Sequence, residues 1–295
     1  MTTVSSPLPR IGFIGLGIMG ASMAGHLLEA GHPLSVSNRS KDKAATLLAR
    51  GAIWCDTPAE VARRADVVIT IVGYPADVEQ VWRGPEGLIA NASDALLIDM
   101  TTSSPDLARS LAAEAAAAGH RALDAPVSGG SIGARDAKLS IMVGGEPQAY
   151  EAGLPVLRRL GATIARMGGP GAGQHTKMAN QLVIASTIMG VCEGLAYARA
   201  AGLDGQELLA TIGGGAAGGF QLNVLGPRIA AGDVSAGFFV EHFLKDLGIA
   251  LSEAQRLGLD LPGATLARKL YEQLSAQGHG RLGTQALSLL YQGER

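Results

Sequence analysis

The chain has 295 residues, enough for one large or two medium-sized domains. At 47% hydrophobic and 17% charged it can bury a sizeable core, which excludes global disorder. A net charge of −2 leaves no electrostatic footprint for nucleic acid or an acidic membrane surface, so neither is expected as a partner.

Met1 to Pro7 has neither a charged n-region nor an apolar h-region, so no signal peptide is expected. Ile11 to Ile14 is a short apolar run that reads as a strand. It leads at once into a glycine turn, Gly15, Leu16, Gly17, Ile18, Met19 and Gly20, and then into a helix from Ala21 to Ala30. Strand, glycine turn and helix in that order are the context a dinucleotide fingerprint needs. Gly15 permits the tight turn, Gly17 lets the backbone approach a pyrophosphate, and Gly20 lets the helix pack on the strand. The free N–H groups of the helix start face the anion. All six turn residues are therefore candidate cofactor contacts.

The second strand starts at Leu34 and exits through Asn38, Arg39 and Ser40, which would meet the adenosine ribose. An acid at that point would bind the 2′-hydroxyl of NAD. Arg39 and Ser40 can instead hold a 2′-phosphate. The expected cofactor is NADP, with NAD possible; the alternative is that Arg39 is a solvated turn arginine. Lys41 to Arg50 and Pro58 to Arg64 read as helices, and Val67 to Val72 as a fully buried strand ended by Gly73, Tyr74 and Pro75. Leu96 to Met100 is a strand that exits into Thr101 and Thr102 and an alanine-rich helix through Ala118. Ala122 to Asp124 is a further strand. Strands alternating with helices predict an α/β fold with a Rossmann-type, parallel, doubly wound sheet. Ligands bind outside the carboxyl ends of such strands. Gly73, Tyr74, Thr101 and Thr102 fall there as candidate cofactor contacts, and each could equally be a turn residue.

Ser128, Gly129 and Gly130 offer a hydroxyl and two unobstructed backbone N–H groups, the makings of an anion nest. No basic side chain stands in the turn, so a carboxylate suits it as well as a phosphate. These three are the candidate substrate-binding residues. The alternative is a helix start capped by Ser128 or Ser131. Leu139 to Val143 and Thr163 to Met167 read as closing strands around a helix from Pro147 to Arg159.

Strand signals stop at the glycines from Gly168 to Gly173. The expected boundary therefore divides a dinucleotide-binding domain, residues 1–168, from an all-helical domain for substrate and oligomerisation, residues 169–295. A long interdomain helix runs from Gln174 to Ala201. Met178, Leu182, Val183, Ile184, Ile188, Met189, Val191, Cys192 and Leu195 wrap most of its circumference, which predicts a helix buried nearly all round. Its longest uncharged apolar stretch, Gln181 to Val191, is short for a bilayer span. Cys192 within it is a small apolar filler. With Cys55 far away, that usage fits a reducing, cytoplasmic compartment. Lys177 stands near the helix start, with Asn180 one turn on along the same face. Burying an ammonium is expensive unless it is compensated. Lys177 is thus either a catalytic lysine, with Asn180 as the orienting amide, or a first-turn lysine that snorkels to solvent.

Further helices are expected at Gln206 to Ile212, His242 to Leu257, Pro262 to Gln277 and Thr284 to Tyr291. Gly213 to Gly219 reads as a flexible surface loop, and Gly213 to Asn223 as pocket lining. Lys245 and Asp246 are adjacent charges in an apolar helix and are expected on different flanks. Lys245 would approach the cofactor, or else be solvated while Asp246 makes an interhelical ion pair. The six histidines show no ligand spacing, so no metal site is expected.

In this order the motifs resemble those of the β-hydroxyacid dehydrogenase family, which includes 3-hydroxyisobutyrate dehydrogenases and tartronate semialdehyde (2-hydroxy-3-oxopropionate) reductases. The resemblance covers the whole chain. Gly12 to Gly20 looks like the family's cofactor motif, and Asp124 to Gly130 like its substrate motif. Gly171 to Asn180 looks like its catalytic motif, with Lys177 at the catalytic lysine. Phe238 and the run Lys245, Asp246, Leu247 look like its cofactor-proximal C-terminal motif. Val72 to Pro75 departs from the Met-Leu-Pro type of many members, and Asp136 to Leu139 from those with a glycine before the leucine. The related imine reductases lack the lysine.

The resemblance implies reversible hydride transfer between a nicotinamide and a small β-hydroxyacid or its semialdehyde. Lys177 would be general acid and base, its pKa lowered toward neutrality by burial. Asn180 would orient the reacting group, and Ser128, Gly129 and Gly130 would grip the carboxylate. Phe238 and Lys245 would approach the cofactor. A homodimer or homotetramer built through the helical domain is also implied. Two other readings stay open: an imine or ketone reductase on an uncharged substrate, and a protein that binds NADP without turnover.

Overall fold

Ile11–Ile14 (β1), Leu34–Ser37 (β2), Val67–Thr70 (β4) and Leu96–Asp99 (β5) are each buried along their whole length, as parallel strands covered on both faces must be. The computed structural model describes residues 8–291. It completes a nine-stranded sheet with Ile53–Trp54 (β3), Arg121–Asp124 (β6), Val127–Ser128 (β7), Leu139–Gly145 (β8) and Gly161–Gly168 (β9). The order is β3-β2-β1-β4-β5-β6-β8-β7, with β9 also paired to β8. One face carries the core around Phe13, Met23, Val36, Ile69 and Ile98. The other carries Val61, Val68, Trp82, Leu97 and Leu111.

The sheet is mixed, where the alternation predicted a parallel one. β6 and β7 both run antiparallel to β8. The link from β7 to β8 holds only the six-residue helix Gly130–Arg135, and a parallel return needs a crossover of a dozen residues or more. β9 follows the eleven-residue helix Pro147–Leu157 and does return parallel to β8.

Gly20 has a different reason from the one read in the sequence. A Cβ on Gly20 would overlap the carbonyl oxygen of Gly15, so Gly20 closes the turn on itself. Close packing of a helix on β1 falls to Gly12, where a Cβ would collide with Val61 of the helix Pro58–Arg64.

The exit of β4 runs straight into a helix, Pro75–Trp82, that the local pattern did not suggest. Trp82 at its end is fully buried. Its indole Nε1–H donates to Thr70 Oγ at 3.1 Å, and that hydroxyl donates to Asp99 Oδ1 at 3.0 Å. The second tryptophan, Trp54 on β3, is half-exposed. It donates to Asp56 at 2.6 Å, with the Lys41 ammonium 5.4 Å from its ring centre.

The chain forms two compact units, one ending at Lys177 and the other beginning at Met178. The division falls inside the helix Ala172–Ala200, later than the Gly168 boundary read from composition. The physical reason is that the first turns of this helix are hydrogen-bonded to the ends of β5 and β6. The second unit is helical, with Gly205–Ile212, Gln221–Leu225, Gly226–Ala230, Val240–Arg256, Pro262–Leu274 and a 3₁₀ segment Thr284–Tyr291. Its core joins Ile188, Phe243, Leu247, Tyr271 and Leu287. Phe243 and Tyr271 pack edge to face at 5.0 Å, and Tyr271 donates to the Thr284 carbonyl at 2.7 Å.

The long helix is not buried all round. By length and hydropathy it could cross a bilayer, yet Ala185, Ile188 and Cys192 on one side lie in the core of the second unit. Val183 is 63% and Tyr197 76% exposed on the other side. The glycine-rich segment after Ile212 is wound into tight turns rather than extended. Gly218 donates to Gly215 and Asn223 donates to Gly219 through the backbone.

Asp99 and Asp124 sit side by side in register at the ends of β5 and β6, both buried. Burial pushes each up to about 6. For Asp99, hydrogen bonds from Thr101 and Thr70 pull the other way and the Asp124 charge adds to the rise. A carboxyl whose folded pKa lies above its unfolded value costs stability above the folded pKa. That cost vanishes below the unfolded pKa. Asp99→Asn keeps an acceptor for Thr70 and Thr101 and removes the charge. It should gain stability relative to the unsubstituted chain at pH 8, by at most about 3 kcal/mol, and lose that advantage as pH falls from 6 toward 4. Urea unfolding of both proteins at pH 8 and pH 4.5 measures this; an advantage that is larger at the lower pH contradicts the charge-burial cost.

Candidate active site

In the first unit the glycine turn leaves β1 between β2 and β4, where strand order reverses, the place at which such sheets bind ligands. Gly15 has φ of +100°, and a Cβ there would overlap the Ile71 carbonyl. Gly17 is exposed, with nothing within 4 Å of where its Cβ would be. Ile18 is half-exposed, Leu16 is buried, and Met19 leans on the core. No side chain caps the helix that starts at Gly20. An open glycine at an uncapped helix start is a cradle that fits a pyrophosphate.

Asn38 has a part that the sequence did not show. Its Oδ1 accepts from Leu16 N–H at 3.0 Å and its Nδ2 donates to the Ser40 carbonyl at 2.9 Å. It clips the glycine turn to the exit of β2. Arg39 is 86% exposed in its side chain and stands 3.6 Å from Asp77 of the helix Pro75–Trp82. The other oxygen of Asp77 accepts from Tyr74 N–H at 3.0 Å. The exits of β2 and β4 are thus brought together, with Arg39 and Ser40 exposed on one side, and Gly73 half-buried and Tyr74 exposed on the other.

Thr101 is buried and structural in its side chain. Its Oγ accepts from Val72 N–H at 2.9 Å, and its own N–H donates to Asp99 at 3.1 Å. Thr102, the next residue, is half-buried. Ser128 ends β7, and Gly129 and Gly130 follow with φ of +127° and +60°. The capped-helix alternative is not what the chain forms: Gly129 occupies the cap position of Gly130–Arg135, with no side chain bonded there. All three nest residues are half-buried.

Asp124 links the sheet to the helix that carries Lys177. Its two oxygens accept from Gly171 N–H and Gln174 N–H, each at 2.8 Å. Gly144 on β8 and Gly173 must lack side chains for this approach; a Cβ on either would overlap the other's strand or helix backbone. Gln174 is fully buried. Its Oε1 accepts from Ser103 N–H at 2.9 Å and its Nε2 donates to the Thr101 carbonyl at 2.8 Å. Lys177 follows on the same helix face and is only 6% exposed, so it does not snorkel to solvent. Asp124 and Gln174 were not singled out as site residues. The signal for Gln174 was its spacing, three residues before Lys177.

In the second unit Asn180 Nδ2 donates to Gln181 Oε1 at 2.8 Å, and Gln181 Nε2 donates to Asp246 at 2.6 Å. Asp246 is fully buried and pairs with Lys245 at 3.0 Å. Lys245 and Asp246 therefore do not point to different flanks. The interhelical partner of Asp246 is an amide, and its ion pair is with its own neighbour. Lys245 is 12% exposed in its side chain, so it is not solvated. Phe238 is half-buried and meets Phe243 edge to face at 5.9 Å. Asn180 and Lys245 are thereby joined through Gln181 and Asp246.

Two family models divide the chain between them. Residues 10–169 match the NAD binding domain of 6-phosphogluconate dehydrogenase. Residues 171–291 match the NAD-binding domain of NADP-dependent 3-hydroxyisobutyrate dehydrogenase. The chain is 47% identical, over 98% of its length and 88% of the relative's, to a probable 3-hydroxyisobutyrate dehydrogenase-like mitochondrial protein of Arabidopsis thaliana. It is 38% identical to the 2-hydroxy-3-oxopropionate reductase of Escherichia coli, over 94% of this chain and 95% of that one. The structure of Mycobacterium tuberculosis 3-hydroxyisobutyrate dehydrogenase with L-serine superposes with a TM-score of 0.87 at 31% identity, over 97% of this chain and 100% of the other. With a nucleotide cradle in one unit, a buried lysine at the head of the long helix, and these likenesses along its whole length, the chain belongs to the β-hydroxyacid dehydrogenase family of nicotinamide-dependent oxidoreductases.

Proposed function

We propose that this protein interconverts a small β-hydroxyacid and its semialdehyde with NADP as the preferred cofactor and Lys177 as general acid and base. The observation that carries the reading is the burial of Lys177 one turn beyond a helix start fixed by Asp124 and Gln174. An ammonium is not taken out of water at a fixed point without a task or a partner that repays the desolvation. A nicotinamide held there would supply the hydride to the carbonyl carbon, or accept it from the carbinol carbon. Lys177 gives a proton to the carbonyl oxygen in reduction and takes the hydroxyl proton in oxidation. Asn180, one turn along the same helix, orients the reacting oxygen. Ser128 and the N–H groups of Gly129 and Gly130 hold the carboxylate, so that binding energy positions the carbonyl.

Leu16 to Met19 and the flanking glycines receive the pyrophosphate. Gly73, Tyr74 and Thr102 line the way to the nicotinamide, and the family resemblance gives Phe238 and Lys245 as further cofactor contacts. Arg39 and Ser40 read the 2′-phosphate, and Asn38 keeps the glycine turn in register with them. The exposed face of the long helix, with Val183 and Tyr197, supports self-association into a dimer or tetramer. The buried free thiols of Cys55 and Cys192 suit a reducing, cytoplasmic compartment. An uncharged imine or ketone substrate would leave the nest without an anion, and a non-catalytic role would leave the buried lysine without a task.

Lys177→Met keeps the apolar stem and removes only the ammonium. It should lower kcat by about 100-fold or more while NADPH still binds. A loss below about threefold, in protein shown to bind NADPH, ends the general-acid reading.

Methylmalonic and tartronate semialdehydes, whose carboxylate lies two carbons from the reacting carbon, should turn over, and glyoxylate, one carbon shorter, should do so poorly. Methyl esters of the same aldehydes should lose roughly 10- to 100-fold in kcat/KM, as expected for a hydrogen bond to a charged group worth about 1.5–3 kcal/mol. Equal turnover of ester and acid would point to the uncharged-substrate alternative.

NADPH should be favoured over NADH by about tenfold, the lower end for an exposed charge-assisted contact. Arg39→Ala should bring the two kcat/KM values to within about twofold, since Ser40 alone is a weak reader of phosphate. If the ratio is the same in both proteins, Arg39 does not read the phosphate; stacking on adenine would help both cofactors alike.

A further inference from the structure

Gln174 is the only residue of the first helical turn to use both ends of its side chain in bonds to a strand exit. A buried amide costs free energy unless both its carbonyl and its NH₂ find partners. Here the two partners have opposite polarity. Ser103 offers an N–H and Thr101 offers a carbonyl, so only one orientation of the amide satisfies both. With the bond from its own N–H to Asp124, Gln174 fixes the helix start against the ends of β5 and β6 at three points. Leucine or methionine would fill the same space and fix no direction.

The loop it grips is tied in turn to its neighbours. Thr101 accepts from Val72 at the exit of β4 and donates to Asp99 at the end of β5. The exits of β4 and β5 and the start of the long helix are therefore connected through Thr101 and Gln174. Lys177 lies three residues beyond Gln174, on the same helix face. A turn of the helix about its axis, or a slide along it, moves Lys177 relative to Gly73, Tyr74 and Thr102 unless the amide prevents it.

We infer that Gln174 is the positioning residue for Lys177: its side-chain amide sets the place of the lysine relative to the strand exits that receive the nicotinamide. This rests on the reading of Lys177 as general acid and base. A misplacement of about 1 Å at a reacting group can cost about 100-fold in rate. Partial restraint remains from Asp124, so the loss expected without the amide is smaller, about tenfold.

The test is a double-mutant cycle on kcat, expressed per NADPH-binding site counted by fluorescence titration, so that unfolded protein does not enter the rate. The four proteins are the unsubstituted chain, Gln174→Met, Lys177→Met and the double variant. Gln174→Met should lower kcat about tenfold or more when Lys177 is present. It should lower it less than about twofold when Lys177 is already Met, because residues that act as a unit are non-additive. Where the Met variant does not accumulate as NADPH-binding protein, Gln174→Glu replaces it. It has the same shape and still accepts from Ser103 N–H, but as a carboxylate it cannot donate to Thr101. The inference is overturned if the substitution at 174 leaves kcat within threefold. It is equally overturned if the fractional loss is the same with and without Lys177, which is the mark of a purely structural residue. Lys177→Met at nearly full rate would remove the acid–base reading itself. An inactive Lys177→Met beside a fully active Gln174→Met removes only the role of Gln174.

Discussion

The carboxylate of Asp124 lies at the end of β6 with almost no exposure, and each of its oxygens accepts a backbone N–H from the start of the 29-residue helix. The first N–H groups of any helix have no partner within it, and the helix dipole favours a negative charge at that end. One side chain therefore meets two needs at once. It closes the open end of the longest helix, and it fastens that helix to the sheet at the edge where ligands of such sheets bind. Without those two bonds the Gln174 side chain would still tie the helix start to the exit of β5.

That arrangement has a cost, which the neighbouring residues reveal. Asp99 stands beside Asp124 on the next strand, equally buried, and burial raises both carboxyls to about 6. Two acids kept side by side in a sheet core are a poor solution for stability alone. Each is used to hold backbone in place: Asp99 the exit of its own strand through Thr101, Asp124 the helix. Glycine at 144 and 173 completes the fit, since a side chain at either would push helix and sheet apart.

What could be read from the chain alone follows from how local the signal is. The glycine turn after β1 announces itself because strand, turn and helix are contiguous. The helix Pro58–Arg64 was legible to the residue, because Pro58 opens it and Thr57 caps it. The two-residue strand Ile53–Trp54 was not, being too short for any alternation to show. The antiparallel turn of β8 against β6 and β7 depends on the brevity of a six-residue helix, which strand and helix patterns do not measure. At the site, Lys177 was visible as a charge in an apolar helix. Gln174 was not, because its partners Thr101 and Ser103 are more than 70 residues away in sequence. Asp246 was misjudged for the same reason: adjacency to Lys245 suggested two flanks, and only packing shows the pair buried and held by Gln181.

The two tryptophans occupy environments that differ in almost every respect. Trp82 is sealed in the core, its indole N–H bonded to the hydroxyl of Thr70, which bonds to Asp99. Trp54 is half-exposed on β3, paired in register with Val36 just before the exit of β2, with a lysine ammonium beside its ring. Their ultraviolet emission should accordingly come from two separable sources. A dissolved anionic quencher such as iodide reaches Trp54 and spares Trp82, so the shielded component should report on the ionisation of Asp99 and the accessible one on what gathers around β3 and Lys41. The fold carries its own pair of optical labels, one behind the strand exits and one on the edge strand β3, with no dye attached.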